Sequence, residues 1–384
     1  MKLALLIGNR YTPWHFRGYR RLRGAPEITV FRAESEIQRR FDERDDEEAP
    51  FHFAPIHFDT QQGPASFLHA LRERYTGREP RIRPFAERLQ GFDVIQSWEL
   101  FTGWTAEAIE ARRRFGVPLS LMVWDNIPFN NEQTEERRAI KRRALRETDR
   151  FIVHTERSRR MLIIEGAEEG RIVYVPPGVD TDLFSPGPSE RAAFGLDDGD
   201  FVIFFAGWFL PRKGLDFLLL AMRELITRGS NSRPIKLLMV GSGPGRERIE
   251  ASIARLGIAA HCVFAGSLPY RRMPAAFRST DAFVLPSIAT PEWQEQFGMS
   301  LIEAMACGAP VIGALSGAIP EIVGDAGLLC QPNDFVSLSD ALRRLLESDT
   351  LRGELSTAGR KRVLDHFTLD RFSNALSLLY EEIA

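Results

Sequence analysis

The stretch EQFGMSLIEAMACG at Glu295–Gly308 follows the short apolar run AFVLPS, residues 282–287, and the two together form one repeating unit of the fold. An apolar run of this length that ends in Pro-Ser predicts a buried strand and a turn. Beyond Gly298 the apolar residues recur at helical spacing, Gly308 is a suitable C-cap, and Pro310 prevents continuation. The stretch therefore predicts a strand that gives way to a helix, as in a parallel α/β sheet.

Two acidic residues lie in this unit, Glu295 in the loop before the helix and Glu303 inside its first turns. The N-terminus of a helix offers unpaired N–H groups and a partial positive charge, which suit a phosphate. Carboxylates beside it suit hydroxyls, so the pattern predicts a pocket for a sugar attached to a phosphate. An exposed loop carboxylate and a solvated helical glutamate would give the same spacing, so the spacing alone is a weak signal.

The length and charge of the chain limit the classes of protein to which it can belong. With 384 residues it is too long for one ordinary core and fits two domains of nearly equal size. Its 50 basic and 52 acidic side chains nearly balance, which argues against a global attraction to nucleic acid. We therefore expect no nucleic-acid partner.

The cysteines and the first residues indicate the compartment. Cys262, Cys307 and Cys330 form no CxxC pair and no zinc spacing, so we expect reduced thiols in a cytoplasmic protein. The opening run MKLALLI is too short for a signal peptide or a membrane span and predicts a first strand. A soluble protein without a structural disulfide is expected.

Short apolar runs alternate with helical stretches in both halves of the chain. Strands separated by helices predict a parallel sheet with helices on both faces, so we expect an α/β protein of two doubly wound domains. The motif HFAPIHF at 52–58 predicts one more strand within the charged region 34–88. The other apolar runs lie at residues 3–7, 28–31, 92–98, 118–124, 151–155, 172–175, 201–207, 236–243, 263–266, 282–287, 311–314 and 328–330.

The Pro-, Gly- and Asp-rich segment 176–200 predicts the linker between the domains, with a boundary near Phe184. We expect one domain at 1–183, a second at 184–367, and a C-terminal amphipathic helix at 368–384. Ligands bind at the carboxyl ends of parallel strands, so the best site is a cleft where two such edges face each other.

A rare lysine marks a further candidate site. Lys213 is one of only five lysines, and it follows a predicted strand that ends in the Gly207 turn. The apolar spacing that follows predicts a helix extending to Arg228, which places Lys213 at a helix N-terminus. A lysine in that place holds a diphosphate by its charge and the helix dipole together. An N-terminal lysine without a function would give the same pattern.

The FG pair between the two acids and the run EAMACGAPVIG after them resemble the signature of retaining GT-B glycosyltransferases of family 4, group 1. This resemblance implies two Rossmann-like domains that face a central cleft, the first for the acceptor and the second for the nucleotide sugar. The C-terminal helix would return to the first domain. Glu295 would contact the donor-sugar hydroxyls and Glu303 the ribose. The backbone N–H groups at Phe297, Gly298 and Met299 would approach sugar and phosphate.

The loop after the predicted strand 201–207 resembles the diphosphate-binding loop of family 4. The family has a Gly-Arg pair followed by Lys-Gly, and Lys213-Gly214 matches the second pair. Trp208 stands after Gly207 where the family has the arginine, and Arg212 is the candidate to replace it.

The glycine-rich loop in VGSGPGRERIE, residues 240–250, is not a dinucleotide-binding fingerprint, because Arg246 occupies the position of the third glycine. The resemblance instead places Gly241 and Gly243 near the nucleotide. It places the backbone of residues 266–268, which ends at Leu268, at the base.

The first domain departs further from the family pattern. Gly8 is the counterpart of the family's Gly-Gly loop after the first strand. Asp125 or Asn126 is the candidate for the polar group that a histidine supplies at the end of the strand matching 118–124. A strand-end turn is an equally good interpretation of both residues.

A basic cluster near the N-terminus could hold an anionic acceptor or lie on a membrane surface. A solvated helix face is the usual meaning of such a run, so a peripheral contact with the inner membrane face stays an open alternative. The cluster consists of Arg17, Arg20, Arg21 and Arg23, interleaved with Trp14, His15, Phe16 and Tyr19.

Two D-x-D sequences, at 180–182 and 198–200, lie in the predicted linker, where Asp and Gly favour turns. Histidines and cysteines show no ligand spacing either. We therefore expect no metal and no resident cofactor, with a UDP- or GDP-linked sugar as co-substrate.

The resemblance implies a retaining, metal-independent transferase that moves a hexose from a nucleotide diphosphate sugar to an acceptor hydroxyl. The acceptor would be a glycan or a lipid-linked molecule, in glycan, glycolipid or polysaccharide synthesis. The candidates for catalysis are Glu295, Lys213, Arg212 and Asp125. Two alternatives stay open: a GT-B nucleotide-sugar epimerase that hydrolyses its substrate, and a catalytically silent GT-B partner subunit.

Overall fold

The structure is a computed structural model that describes residues 1–8, 16–33, 51–57, 82–229 and 233–384. The chain divides into two compact units, one of Met1–Pro176 with Asp370–Ala384 and the other of Pro177–Leu369. The strands are β1 (Lys2–Gly8), β2 (Glu27–Ala33), β3 (His52–Ile56), β4 (Val94–Trp98), β5 (Leu119–Val123), β6 (Arg150–Val153), β7 (Ile172–Tyr174), β8 (Phe201–Ala206), β9 (Ile235–Val240), β10 (Cys262–Gly266), β11 (Ala282–Leu285), β12 (Val311–Ala314) and β13 (Leu328–Cys330). The helices are α1 (Gly103–Phe115), α2 (Glu135–Glu147), α3 (Glu156–Ile164), α4 (Leu215–Thr227), α5 (Arg246–Leu256), α6 (Met273–Arg278), α7 (Met299–Ala306), α8 (Ile319–Val323), α9 (Phe335–Glu347), α10 (Asp349–His366) and α11 (Leu369–Ile383).

The sheet of the first unit has the order β3-β2-β1-β4-β5-β6-β7, and its strand pairs are parallel. The chain builds outward from β1 to one edge and then returns to place β4 on the other side of β1. The topological switch point of this sheet therefore lies between β1 and β4. The central strand β5, LSLMV, is buried at every residue, as expected when both faces of a sheet are covered.

Threonine caps define where three helices of the first unit begin. The side chains of Thr102, Thr134 and Thr155 each accept a hydrogen bond from the backbone N–H three residues later, at the starts of α1, α2 and α3. The predicted strand 151–155 is shorter than expected for this reason. It ends at Val153 because Thr155 already belongs to the cap of α3.

Helix α11 completes the core of the first unit. Its residues Phe372, Leu376, Leu379 and Tyr380 pack into one buried cluster with side chains of β1 and β2. The Tyr380 hydroxyl donates to Gln96 Oε1 on β4, and Gln96 Nε2 donates to the Tyr19 hydroxyl at 2.6 Å. The apolar stripe of this helix and a satisfied buried polar chain together fix it on the sheet.

The sheet of the second unit has the order β10-β9-β8-β11-β12-β13 and parallel pairing. Its switch point lies between β8 and β11, because β9 and β10 follow β8 to one edge before β11 returns to its other side. Helix α4 buries Leu218, Met222 and Leu225 in the main core cluster of this unit. The predicted α/β class, two doubly wound parallel sheets with helices, is confirmed.

The boundary between the units lies earlier than the predicted position near Phe184. Val179 N–H donates to Phe367 O at 2.8 Å, and the Phe184 ring packs against Tyr270 with centroids 5.1 Å apart. These contacts place the segment from Pro177 onward with the second unit rather than the first. At the other end, the second unit continues to Leu369.

The predicted motif HFAPIHF yields β3 at His52–Ile56, and its last residue, at position 58, lies outside the described residues. Within the described part of the chain, no helix combines the length and the apolar character needed to cross a membrane.

Candidate active site

An ion pair joins the two loops at the switch point of the second unit. Lys213, after β8, lies with its Nζ 2.8 Å from Oε2 of Glu295, which comes after β11. The two residues are 82 positions apart, and both are partly or fully buried. The carboxyl ends of the strands on either side of a switch point are where doubly wound sheets bind ligands.

Gly214 sets the position of Lys213. It adopts φ +70°, and a Cβ at this residue would overlap the carbonyl oxygen of Pro286, so only glycine fits here. Lys213 is the last residue of a 3-10 turn, Pro211–Lys213, and α4 starts after Gly214. The prediction that Lys213 opens the helix is therefore wrong by one short turn. The reason is that Gly214 in the left-handed region separates the turn from α4.

Several contacts hold Glu295 in place. The Ser287 hydroxyl, at the end of the β11 turn, donates to Glu295 Oε2 at 2.6 Å. The Ala318 N–H donates to the Glu295 carbonyl at 2.9 Å. Glu295 is only 8% exposed, so its carboxylate is a fixed acceptor and not a mobile surface group.

The second acid, Glu303, lies on α7 and is 7% exposed. Tyr270, in the turn after β10, donates its hydroxyl hydrogen to Glu303 Oε1 at 2.9 Å. Sequence reasoning missed Tyr270, because this contact spans 33 residues and no local pattern announces it.

Helix α7 begins after Gly298. Gly298 is the N-cap, with φ +92° and no side-chain hydrogen bond to cap the helix. Phe297 is buried, and its ring lies edge-on to Phe367 with centroids 5.8 Å apart. Its side chain thus belongs to the core, while the backbone of Phe297, Gly298 and Met299 lies at the helix N-terminus.

The predicted nucleotide loops follow the neighbouring strands β8, β9 and β10. The Gly207 N–H donates to the Val240 carbonyl at 3.0 Å, and the Gly241 N–H donates to the Gly266 carbonyl at 2.8 Å. Gly243 is so close to the backbone of Phe209 that a Cβ would clash with it. Leu268, after β10, is partly exposed.

Two tryptophans and an arginine lie near the ion pair. Trp208 and Arg212 precede Lys213 in its loop, and Trp293 precedes Glu295. The Trp208 side chain is 55% exposed. Arg212 Cζ lies 4.8 Å and Lys213 Nζ 5.0 Å from the ring centroid of Trp293. Sequence reasoning missed Trp293, although a tryptophan two residues before Glu295, in a chain with six, is a signal that could have found it.

Comparison with known proteins identifies the family. The model for Glycosyl transferases group 1 matches residues 188–362, and the model for Glycosyltransferase Family 4 matches residues 20–183. A D-inositol 3-phosphate glycosyltransferase of Saccharomonospora viridis is 30% identical over 310 residues, 76% of this chain and 70% of the relative. This chain belongs to the group 1 glycosyltransferases. The family that the sequence resembles is thereby confirmed.

Relatives in this glycosyltransferase family include longer proteins. A D-inositol 3-phosphate glycosyltransferase of Rhodococcus erythropolis is 34% identical over 292 residues, 71% of this chain and 64% of the relative. The chain thus spans a little less than two thirds of the length of such curated relatives.

Solved structures show the same fold. HepE of Anabaena in complex with UDP aligns over 100% of both chains, with a TM-score of 0.79 and 18% identity. The same protein in complex with UDP-glucose gives a TM-score of 0.74 at 18% identity and covers 100% of this chain and 98% of that chain. At this identity the likeness shows the fold alone, and the predicted GT-B class is confirmed.

In the first unit of this glycosyltransferase, Gly8 ends β1 with φ +67°, and the Trp104 ring occupies the space where a Cβ would lie. Asp125, 7% exposed, accepts four hydrogen bonds in the loop after β5. The donors are the Asn126 and Ile127 N–H groups and the side-chain amides of Asn130 and Asn131. The Asp125 carboxylate thus organises a strand-end turn, and Asn126 is buried within it.

Glu99 is a residue that sequence reasoning missed. It follows β4 at the switch point of the first unit and adopts φ +63°, unusual for a residue with a side chain. Its Oε1 accepts the Trp124 N–H at 3.0 Å, and its buried Oε2 has no hydrogen-bond partner among the described residues. Burial, followed by the negative charge of Asp125, raises the pKa of Glu99 to about 8.

His154, after β6, lies against Trp124 with ring centroids 4.0 Å apart. Its Nδ1 is 2.6 Å from the Val175 carbonyl, which fixes the imidazole, and burial lowers its pKa to about 4. The family pattern places a histidine at the end of β5. In this chain a neutral histidine, His154, instead follows the neighbouring strand β6.

Two arginines of the basic cluster near the N-terminus, Arg21 and Arg23, contact α11, although both are exposed. Arg21 pairs with Asp370 at 2.9 Å, and the Arg23 N–H donates to Ser377 Oγ at 2.9 Å. Phe16 and Tyr19 are buried, and Arg17 is only 8% exposed. Arg20 is exposed, and the residues at positions 14 and 15 lie outside the described residues.

The two D-x-D sequences make local turn contacts. Asp180 Oδ1 accepts the Asp182 N–H at 3.2 Å, and Asp200 Oδ2 accepts the Asp197 N–H at 2.8 Å. Asp200 is 2% exposed. Over the described ranges, His, Cys, Asp and Glu side chains form no group of three or more that could hold a metal ion.

Proposed function

We propose that the chain is a retaining, metal-independent glycosyltransferase that moves a hexose from a UDP- or GDP-linked sugar to an acceptor hydroxyl. The observation that carries the proposal is the partly buried Lys213–Glu295 pair at the switch point of the second unit. It presents one cation and one carboxylate side by side, and Glu295 lies in the loop that leads into α7 at Met299. A diphosphate and sugar hydroxyls are the ligand groups that match these three features.

The chemistry of the leaving group supports the same site. Breaking the bond between the anomeric carbon and the diphosphate oxygen leaves the electron pair on the diphosphate. Lys213 and the uncapped backbone N–H groups at the start of α7 would stabilise that charge as it develops. Glu295 would accept hydrogen bonds from the sugar hydroxyls, and its bond from Ser287 keeps it oriented for that task.

The nucleotide would occupy the loops after β8, β9 and β10, with Glu303 on the ribose. The bond from Tyr270 orients Glu303, and the backbone of residues 241–243 and 266–268 lies at the neighbouring strand ends. UDP is the ligand of the HepE structure with the same fold, which supports UDP as the first donor nucleotide to test.

The acceptor belongs to the first unit in this proposal. The named relatives are D-inositol 3-phosphate glycosyltransferases, so a polyol, glycan or lipid-linked acceptor is the class to examine. Arg20, exposed near the N-terminus, and the neighbouring basic residues are candidates for an anionic acceptor or a membrane surface.

A thermal-shift panel of UDP-, GDP- and ADP-sugars tests the donor. A ligand at 100 times its Kd stabilises a protein by about 2.7 kcal/mol, which is a measurable shift in Tm. We expect one nucleotide sugar to give this shift and the Lys213→Met variant to lose most of it. No shift with any donor would contradict the proposal.

Analysis of the product by NMR tests the reaction. An α-linked donor should yield an α-linked product if configuration is retained. Formation of free sugar alone, with every acceptor class tried, would support the hydrolase alternative. Donor binding without any turnover would support the silent partner subunit.

A further inference from the structure

The indole ring of Trp293 contacts two cations at once. Arg212 Cζ and Lys213 Nζ lie 4.8 Å and 5.0 Å from the ring centroid, within the range at which an aromatic ring attracts a cation. Arg212 is exposed, whereas Lys213 and Trp293 are partly buried. One ring therefore lies next to both basic residues of the loop after β8.

The backbone around Trp293 restrains the ring relative to these cations. Trp293 and Thr290 form a two-residue bridge, in which the Thr290 N–H donates to the Trp293 carbonyl at 2.7 Å. In the same loop, the Ile288 N–H donates to the Arg212 carbonyl at 2.9 Å. The loop that carries the ring is thus hydrogen-bonded to the turn that carries Arg212.

Among the described residues, a carboxylate pairs with one of these two cations and not with the other. Lys213 pairs with Glu295, and Glu295 also accepts from Ser287. Arg212 contacts the ring but has no carboxylate partner in the part of the chain that the structure describes. Arg212 and Lys213 are like charges near one ring, and a group with two negative charges could attract both.

We propose that Trp293 is a positioning residue for the donor diphosphate. Its ring holds the Arg212 guanidinium beside Lys213, so that Arg212 supplies the second cation although Trp208 stands where an arginine would otherwise follow Gly207. Trp293 acts through Arg212 and touches no reacting atom. The inference rests on the proposed function, because it requires that a diphosphate binds between the loops after β8 and β11.

Calorimetry with UDP, GDP and ADP, and with the matching nucleosides, tests the inference. We expect Trp293→Leu to weaken binding of the tightest-binding nucleoside diphosphate about tenfold relative to the wild type. Its affinity for the matching nucleoside should stay within about twofold of the wild type. Trp293→Phe keeps a ring and should stay within about threefold of the wild type. If the Leu variant does not fold, Trp293→Gln replaces it, because the site is only partly buried.

The Arg212→Ala background separates positioning from a general effect on the fold. If the ring acts through Arg212, Trp293→Leu should lower the affinity for the nucleoside diphosphate by less than about twofold in that background. An equal cost in both backgrounds, an equal loss of nucleoside affinity, or unchanged diphosphate affinity would overturn the inference and leave the proposed function standing. A wild-type protein that binds none of the three diphosphates would overturn both.

Discussion

Tyr270 and Glu303 form a hydrogen bond of 2.9 Å that joins the turn after β10 to α7. The Tyr270 ring is itself held by Phe184, with centroids 5.1 Å apart. Glu303 is therefore oriented by the fold of the second unit, and the proposed ribose contact would use a carboxylate whose rotamer is already set.

The first prediction concerns Glu303→Ala. A charged hydrogen bond to a ribose hydroxyl, lost from a buried polar site, should weaken nucleoside diphosphate binding by ~1 to 3 kcal/mol. Calorimetry with UDP and GDP measures this loss, and thermal unfolding of the same samples checks the fold. An unchanged Kd in a variant of native stability would remove Glu303 from the site.

The second prediction concerns Tyr270→Phe, which removes the hydroxyl and keeps the ring against Phe184. Because Glu303 keeps its carboxylate and loses only one partner, we expect a smaller loss of affinity, about 0.5 to 1.5 kcal/mol. The same titrations measure it. A loss larger than that of Glu303→Ala would mean that Tyr270, and not Glu303, contacts the nucleotide.

The third prediction ranks the two cations. We expect Lys213→Ala to abolish transfer and Arg212→Ala to cost clearly less, because Lys213 also holds Glu295 and is the more buried of the two. A charge aimed at a developing oxyanion is worth about 100-fold or more in rate. Single-turnover rates with saturating donor decide the ranking. A Lys213→Ala enzyme within a few-fold of the wild type would show that the diphosphate lies elsewhere.

The order of the strands in sequence was accessible to prediction because each strand is a short apolar run between helical stretches. The run VIGA became β12 at Val311–Ala314 and LLC became β13 at Leu328–Cys330, with unchanged bounds. The strand predicted at 151–155 ends earlier, at Val153, because the Thr155 side chain caps the helix that follows. Local chemistry thus explains both the success and the error.

The candidate site was accessible only in part. Glu295, Glu303 and Lys213 stood out because motif and rarity mark them in the sequence. Tyr270 and Trp293 were not predicted, because their contacts join loops that follow different strands. The left-handed backbone of Glu99 was also not predicted, because the sequence at 98–101, WELF, contains no residue type that favours a positive φ.

The fourth prediction is that EDTA leaves transfer intact. One aspartate of each D-x-D sequence, Asp180 and Asp200, accepts a turn hydrogen bond within the second unit. Lys213 and the start of α7 would supply positive charge for the diphosphate. Initial rates before and after chelation measure the effect. Loss of turnover on chelation, restored by manganese or magnesium, would contradict the metal-free mechanism.

The fifth prediction concerns the pH dependence of stability at Glu99. Its folded-state pKa of about 8 lies above the usual value for a glutamate, 4.5, because burial and then Asp125 disfavour the charged form. The stabilising contribution of the neutral carboxyl is complete below about pH 4.5 and is lost as the pH rises through 8. Glu99→Gln cannot ionise. The free energy of unfolding of this variant should therefore rise relative to the wild type between pH 5 and pH 8, by at most about 1.4 kcal/mol per pH unit.

Glu110→Gln is the matched control for this prediction. The hydrogen bond from Arg114 lowers the pKa of Glu110, so this carboxyl is ionised in both folded and unfolded chains above about pH 5.5. The difference in the free energy of unfolding between Glu110→Gln and the wild type should then stay constant up to about pH 8. The same difference for Glu99→Gln should increase. Urea unfolding at a series of pH values gives the slope of this difference against pH for each variant. A pH-independent cost of the unpartnered side-chain amide in Glu99→Gln does not affect the slope. Parallel slopes would show that Glu99 is ionised in the folded protein, as it would be if a counter-charge or water reached Oε2.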